Sequence, residues 1–271
     1  MPPPLPRIRT ERIEREITRL LTDSPKPGDA LQHLYGLGLL EHILPEILPM
    51  VGQEQPPQFH PEGDVFEHTV LMLNLMPEEK KESSYTAREL AYTVLLHDVG
   101  KPPTASIGPG TDGKPRIRFD GHASIGAEMA EEILTRLKFP NKEKQQIVAA
   151  IRGHMRFMDV QQMRTSTLRK MIGAEVFDLE IELHRIDCLG SHAMLDNYDF
   201  LPNYMEEMAN EPILPEPWLC GHDLIDMGIK EGKLIGKVLK EAYDAQMEDQ
   251  FASRNELLDW VRATYQPEKG D

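Results

Sequence analysis

Apolar residues recur through most of the chain at the spacing of an amphipathic helix. Near the start, Ile13, Ile17 and Leu21 are four positions apart and therefore share one helix face. Two later runs, 86–89 and 253–256, read Thr-Ala-Arg-Glu and Ser-Arg-Asn-Glu. Both fit the capping box, in which paired side chains satisfy free N–H groups at a helix start. The pattern predicts an all-α fold.

Residues that interrupt the helical pattern predict a helix cap and a β-hairpin. Asn141 follows Pro140, and we expect its side chain to cap the next helix. Residues 104–107 and 116–119 alternate in polarity around a turn-rich middle, which predicts one short β-hairpin. Boundaries are indistinct in the proline-rich segment 53–61 and around residues 211–217.

Composition limits the class of protein. With 271 residues and 40% hydrophobic content, the chain can bury a core as one large or two small domains. Cys188 and Cys220 are far apart, which argues against a disulfide framework and for a reducing compartment. We find no signal peptide and no run long enough to span a membrane, so we expect a cytoplasmic protein.

The net charge of −15 bears on partners, because a dedicated RNA binder usually carries a basic footprint. Positive charge nevertheless gathers in one part of this chain. The basic residues there are Arg136, Lys138, Lys142, Lys144, Arg152, Arg156, Arg164, Arg169 and Lys170. They could border a phosphate-bearing substrate or form a solvated helical face, and the sequence leaves both interpretations open.

Residues 94–103 are the most informative stretch. His97 and Asp98 end an apolar helical run and offer a nitrogen and a carboxylate to one cation, a donor set that suits a transition metal. We expect Gly100 to allow a sharp turn and Pro102 to prevent the helix from continuing.

Four more residues of ligand type lie on separate predicted helices. They are His68, His122, His154 and Asp187. Each could be a hydrogen-bonded core residue, but a buried carboxylate such as Asp187 needs a partner. A cation shared with His68, His97 and Asp98 would supply one. The ordered set therefore predicts a metal centre, with Asp187 within about 10 Å of His97, since metal–ligand bonds are only roughly 2 Å long.

This ordered set resembles the HD-domain superfamily of metal-dependent phosphohydrolases. The likeness covers about residues 60–200 and implies His68, His97, Asp98 and Asp187 as ligands of a first metal. It further implies His122 and His154 as ligands of a second metal, with Asp98 bridging. Lys101 resembles the lysine that lies near the substrate phosphate.

Segments 9–17, 37–40 and 44–46 are also similar to the neck of bacterial tRNA nucleotidyltransferases that carry an HD domain, and 219–229 and 234–239 are similar to their tail. The resemblance implies three regions: a neck-like segment at 1–55, an HD domain at 56–200 and a helical tail at 201–271. The family's nucleotidyltransferase head has a Gly-Gly turn and an Asp-x-Asp pair, and this sequence has neither. We therefore do not expect nucleotide addition by this chain alone.

The resemblance and the residues together predict metal-assisted phosphoester hydrolysis of nucleotides or RNA ends, with 2′,3′-cyclic phosphates as first substrates. Asp98, Lys101, His122 and His154 are the expected catalytic residues, with Lys101 and Arg156 at the substrate phosphate. One or two ions of Mn, Fe, Co, Ni or Zn are expected, and the hairpin is expected to act as a flap over them.

Two alternatives remain open at this point. One is a non-catalytic module that binds RNA or a partner, the body of a split tRNA nucleotidyltransferase whose head is a separate subunit. The other is an enzyme of the nucleotide pool that acts on free nucleotides. No membrane partner is expected.

Overall fold

The structure, a computed structural model, describes residues 9–77, 83–109 and 113–265. In this part of the chain it is helical, with one two-stranded hairpin, which confirms the predicted all-α class. The helices are α1 Thr10–Asp23, α2 Pro27–Gly36, α3 Leu40–Ile43, α4 Val65–Asn74, α5 Ala87–Leu96, α6 Lys101–Thr104, α7 His122–Arg136, α8 Asn141–Gly153, α9 Thr165–Ile172, α10 Phe177–Gly190, α11 Asp196–Glu207, α12 Gly221–Asp226, α13 Lys233–Met247 and α14 Arg254–Thr264. Two 3₁₀ segments, Pro45–Met50 and His154–Gln162, accompany them.

Helix starts follow the local sequence closely. The Thr86 hydroxyl accepts the Glu89 N–H, and the Glu89 carboxylate accepts the Thr86 N–H, as the capping box predicts. Ser253 likewise caps α14. The predicted cap at Asn141 is wrong, because the N-cap position is Pro140, which offers no side-chain cap bond, and Asn141 is already the first residue of α8.

The chain divides into two compact units. The first runs up to Met158 and includes Glu175–Asp199, and the second comprises Asp159–Ala174 and the residues from Phe200 onward. Each unit has its own apolar core. The division into regions at 1–55, 56–200 and 201–271 stays a prediction.

In the first unit, α4, α5, α7, α8 and α10 pack against one another around a buried core. Among the largest of its fully buried side chains are Tyr92, Leu95 and Leu96 of α5. Because α5 is buried on every side, the His-Asp pair that follows it is delivered to the interior.

Gly100 has a different role from the sharp turn that the sequence suggests. Its φ of −81° is an ordinary right-handed value, so the chain needs no glycine there in order to turn. A Cβ atom at this position would lie 2.2 Å from the carbonyl oxygen of His122 and 2.5 Å from the nitrogen of Gly126. The glycine therefore lets α7 approach the end of α5. Pro102, in turn, lies in the first turn of α6, where proline is tolerated.

The hairpin lies where the sequence predicts it. Strands β1 Ser106–Pro109 and β2 Pro115–Arg118 run antiparallel, with Ile107 opposite Ile117. In the described ranges, no helix is both long and apolar enough to cross a membrane. Cys188 is buried, Cys220 is exposed, and neither forms a disulfide.

Candidate metal centre

Helix ends deliver most of the predicted ligands. His97 caps the end of α5, His154 caps the end of α8 and His122 is the first residue of α7. His68 and Asp187 lie within α4 and α10. These five helices pack on one another, so residues up to 119 positions apart in the sequence meet in one place.

The structure brings the predicted residues into two adjoining groups. His68, His97 and Asp187 form one group, Asp98, His122 and His154 form the other, and in each group the potential ligand atoms lie within 4.8 Å of one another. Asp187 and His97 therefore approach each other well within the predicted limit of about 10 Å.

Asp98 lies between the two groups. Its Oδ2 is 3.1 Å from Nε2 of His97, while its Oδ1 is 3.6 Å from Nε2 of His122 and 4.0 Å from Nε2 of His154. The Nε2 atoms of His122 and His154 are 3.1 Å apart. One carboxylate oxygen therefore faces each group.

Three of the four histidines are held in the same way. The Nδ1 atoms of His97, His122 and His154 lie 2.8, 2.8 and 2.6 Å from backbone oxygens three residues earlier, those of Val94, Phe119 and Ile151. A carbonyl oxygen only accepts hydrogen bonds, so Nδ1 carries the hydrogen and Nε2 is left with a free lone pair. This is the orientation that metal-binding histidines adopt.

The fourth histidine has a carboxylate in place of the carbonyl. Nδ1 of His68 lies 2.6 Å from Oε1 of Glu62, and its Nε2 lies 3.1 Å from Oδ1 of Asp187. The same Glu62 oxygen is 2.8 Å from Nδ1 of His60. Sequence reasoning missed Glu62 and His60, because a His and a Glu two positions apart in a proline-rich loop carry no specific signal.

Burial and neighbouring charge set the ionisation of the group. Burial disfavours the His68 imidazolium, but contacts with Asp187 and Glu62 outweigh this and raise its pKa to about 9. Burial and the neighbouring His97 lower the pKa of His154 to about 4. Burial opposes the charge on Asp98, yet His97 and Lys101 hold its pKa well below the usual range.

The residues present fit a divalent transition metal. His68 and His97 are 0% and 1% exposed, and their Nε2 atoms face carboxylate oxygens of Asp187 and Asp98 at 3.1 Å without forming a well-aligned hydrogen bond. Buried polar atoms without a partner are costly, and a cation facing them would remove that cost. A mixed set of imidazole nitrogens and carboxylate oxygens suits Mn, Fe, Co, Ni or Zn.

Lys101 and Arg156 differ in where the structure places them. The ammonium group of Lys101 is 2.6 Å from Oδ2 of Asp98 and donates to Oε1 of Gln55 at 2.6 Å. Arg156 instead pairs with the buried carboxylate of Glu180. Contact of Arg156 with a substrate phosphate requires that this pair open, and it stays a prediction.

A cavity of about 340 Å³ opens above the centre. Its floor includes Asp98, Lys101, His122, His154 and Asp187, and residues 116–119 at the end of the hairpin line its wall. The hairpin therefore borders the candidate site. Its action as a flap stays a prediction.

Comparison with known families agrees with this arrangement. Residues 65–186 match the HD domain, and residues 1–50 match the family described as the probable RNA and SrmB-binding site of polymerase A. The chain therefore contains an HD domain, a domain of metal-dependent phosphohydrolases that bind divalent metals, preceded by a segment of this RNA-binding type. The matched HD range ends one residue before Asp187.

Most of the chain is similar to the neck and HD region of bacterial tRNA nucleotidyltransferases. It is 31% identical over 262 residues to the CC-adding tRNA nucleotidyltransferase of Thermus thermophilus, covering 92% of this chain and 56% of the relative. The A-adding tRNA nucleotidyltransferase of Deinococcus radiodurans is 29% identical over 259 residues, covering 93% and 58%. A multifunctional CCA protein of Halorhodospira halophila is 32% identical over 168 residues, covering 62% and 37%. The chain thus spans little more than half the length of the first two relatives.

Proposed function

We propose that this chain is a metal-dependent phosphohydrolase that cleaves phosphoesters of nucleotides or RNA ends, with 2′,3′-cyclic phosphates as the preferred class. The observation that carries the proposal is the inward orientation of the imidazoles around Asp98. A scaffold has no need of four buried imidazoles that converge with Asp98 and Asp187 below an open cavity.

In this proposal, His68, His97, Asp98 and Asp187 hold one metal. His122 and His154 hold a second, with Asp98 shared between the two. When bound, such a metal supplies Lewis-acid chemistry, activating water and neutralising charge on phosphoryl oxygens. Asp98 suits the shared position because its two oxygens face different groups and its lowered pKa keeps it a carboxylate.

Lys101 binds the substrate phosphate. Its side chain is 8% exposed and lines the cavity beside Asp98, where Gln55 fixes its ammonium group. A positive charge fixed in advance at the point where charge develops is an effective form of catalysis. If only one metal binds, His122 and His154 remain available to exchange a proton with the leaving oxygen.

The decisive experiment is a phosphoester panel on the full chain loaded with Mn, Ni or Co. The panel contains 2′,3′-cyclic nucleotides, nucleoside monophosphates and RNA ends with a cyclic phosphate. We expect Asp98→Ala to abolish turnover and lose metal. Lys101→Ala should lower turnover about 100-fold and keep the metal. Lys142→Ala, an exposed lysine paired with Glu175, is the control.

A protein that binds metal and hydrolyses nothing in the panel would overturn the proposal. Activity on free nucleotides alone would indicate a nucleotide-pool enzyme. Metal titration addresses the number of ions: we expect two equivalents per chain, and one equivalent unaffected by His122→Ala would exclude the second metal.

A second candidate function is a non-catalytic RNA-binding or partner module of a split tRNA nucleotidyltransferase. The match of residues 1–50 to an RNA-binding family favours it, together with the similarity to tRNA nucleotidyltransferases. Binding of tRNA, or of a separate nucleotidyltransferase subunit, by protein that is inactive on the whole panel would support it.

A further inference from the structure

We propose that Phe59 and Arg116, on the wall of the cavity, form a subsite for the nucleobase of the substrate. The inference rests on the proposed function and deepens it, because it assigns to the cavity a second chemistry beside the phosphate. Neither residue belongs to the predicted metal or phosphate-binding set.

The wall is apolar and open to solvent. Phe59 is 44% exposed, Met155 41% and Met158 61%, and all three line the cavity above the charged floor. Exposed apolar side chains that gather in a concave site mark ligand binding. A substrate consisting of little more than a phosphate would make no use of them.

Arg116 gives this wall its specificity. Its guanidinium carbon lies 5.6 Å from the centre of the Phe59 ring, within the range of a cation–π contact. No carboxylate in the described part of the chain pairs with Arg116, whereas its neighbour Arg118 lies 3.2 Å from Asp120. A flat, cationic donor group therefore remains available beside an aromatic ring.

An aromatic ring with an adjacent guanidinium is the combination that proteins use to bind unpaired bases. Bases stack on aromatic side chains and on guanidinium planes, with little dependence on sequence. Lys101 and Phe59 line the same cavity, and the Lys101 ammonium lies 5.6 Å from the centre of the Phe119 ring, on the wall segment 116–119 that also carries Arg116. A phosphoester at Lys101 can thus place its base against Phe59, and the cavity volume of about 340 Å³ falls within the usual range for small-molecule sites, about 300–1,000 Å³.

The test compares two substrates that differ only in the base. Adenosine 2′,3′-cyclic phosphate carries one, and 1-O-methylribose 2′,3′-cyclic phosphate does not. We expect Phe59→Ala and Arg116→Ala each to raise KM for the adenosine substrate roughly tenfold and to change KM for the base-free substrate less than twofold. Phe59→Trp should preserve the wild-type values, whereas Phe59→Leu, apolar but not aromatic, should behave like Phe59→Ala.

Equilibrium binding of adenosine 2′-monophosphate to the metal-loaded protein gives a readout that needs no turnover. The same variants should weaken it by a similar factor. Tyr35→Ala, an aromatic residue of similar exposure at 41% outside the cavity, and Arg262→Ala, an exposed arginine of the second unit, are the controls.

The outcomes separate the two proposals. Loss of affinity shared equally by both substrates, or no loss in Phe59→Ala, would overturn the subsite and leave the phosphohydrolase proposal intact. Absence of turnover with base-dependent binding of adenosine 2′-monophosphate would overturn hydrolysis and keep the subsite. Absence of both would overturn both. An oligonucleotide ending in a 2′,3′-cyclic phosphate, run beside the mononucleotide, distinguishes RNA ends from free nucleotides as the source of the base.

Discussion

At the residue scale, the candidate centre depends on which nitrogen of each imidazole is free. His97 and His154 direct Nδ1 at a carbonyl oxygen of the preceding helical turn, and His122 directs it at the Phe119 carbonyl just before α7. This is a local arrangement that any histidine near a helix end can adopt. His68 lies inside α4 and has Glu62 at its Nδ1. Its orientation is therefore the one among these four that depends on a side chain, and a substitution can test it.

Glu62→Gln should weaken metal binding about 10- to 100-fold, the usual effect of losing a carboxylate behind a ligating histidine. The neutral amide is a poorer acceptor for Nδ1–H and no longer favours the tautomer with Nε2 free. The measurement is a calorimetric titration of the full chain with Mn²⁺ or Ni²⁺. Glu54→Gln, an exposed residue of the same loop, is the control. Equal dissociation constants for wild type and Glu62→Gln would show that Glu62 does not orient His68.

At the scale of elements, the site depends on how closely α7 approaches the end of α5. Gly100 permits that approach, because its missing side chain leaves room for the backbone of His122 and Gly126. The approach places the first residue of α7 beside Asp98. A glycine with an ordinary φ and free space around it could be replaced at little cost, whereas Gly100 has no room for a Cβ atom.

Gly100→Ala should therefore cost about 1–3 kcal/mol of unfolding free energy, the usual range for overpacking, and should also weaken metal binding by displacing His122. Denaturant unfolding and metal titration measure the two effects. Gly236→Ala in α13 is the matched control, because a Cβ there meets nothing within 4 Å. It should stabilise the protein by up to about 1 kcal/mol. A neutral Gly100→Ala would show that α7 can move away without cost.

At the scale of the whole molecule, charge and ionisation act together. The net charge of −15 repels anionic ligands, so the basic groups at the cavity, Lys101 and Arg116, have to act locally. Metal-free protein has to carry the ionised groups of the centre in its interior. Its stability should therefore depend on pH in a way that identifies individual histidines.

His68 should contribute stability at low pH that is lost at high pH. Its pKa is about 9 in the folded protein and near 6.5 when unfolded, so the contribution is complete below pH 6.5 and disappears as the pH rises through 9. The full amount is about 3 kcal/mol for that difference in pKa. The stability difference between wild type and His68→Gln should shrink by about this amount from pH 6.5 to 9. Hydrogen exchange of α5 amides in metal-free protein measures it within the first unit.

His154 provides the control for that measurement, because the sign is reversed. Its pKa of about 4 lies below the unfolded value, so its contribution is present above pH 6.5 and lost as the pH falls toward 4. His154→Gln should leave the slope between pH 6.5 and 9 unchanged. A wild-type slope that persists in His68→Gln over that window would contradict the assignment.

The sequence by itself determined those properties that depend on residues close together along the chain. Helical spacing, the capping boxes at 86–89 and 253–256 and the alternation around the hairpin all act over a few residues, so the all-α class could be predicted. The metal-type residues could also be predicted as a set, because each is an unusual polar residue in an apolar helical run and their order resembles the HD signature.

Only the tertiary structure decided which distant side chains meet. Gln55 holds Lys101 from 46 positions away, and Glu180 takes up Arg156 from 24 positions away. Glu62 contacts His68, and Phe59 contacts Arg116. Glu62 and Phe59 lie in a loop, where no periodic pattern marks their role. These contacts depend on helix packing and on the close approach at Gly100. Which side chains become partners depends on their distance in the folded chain, and helical periodicity does not predict that distance.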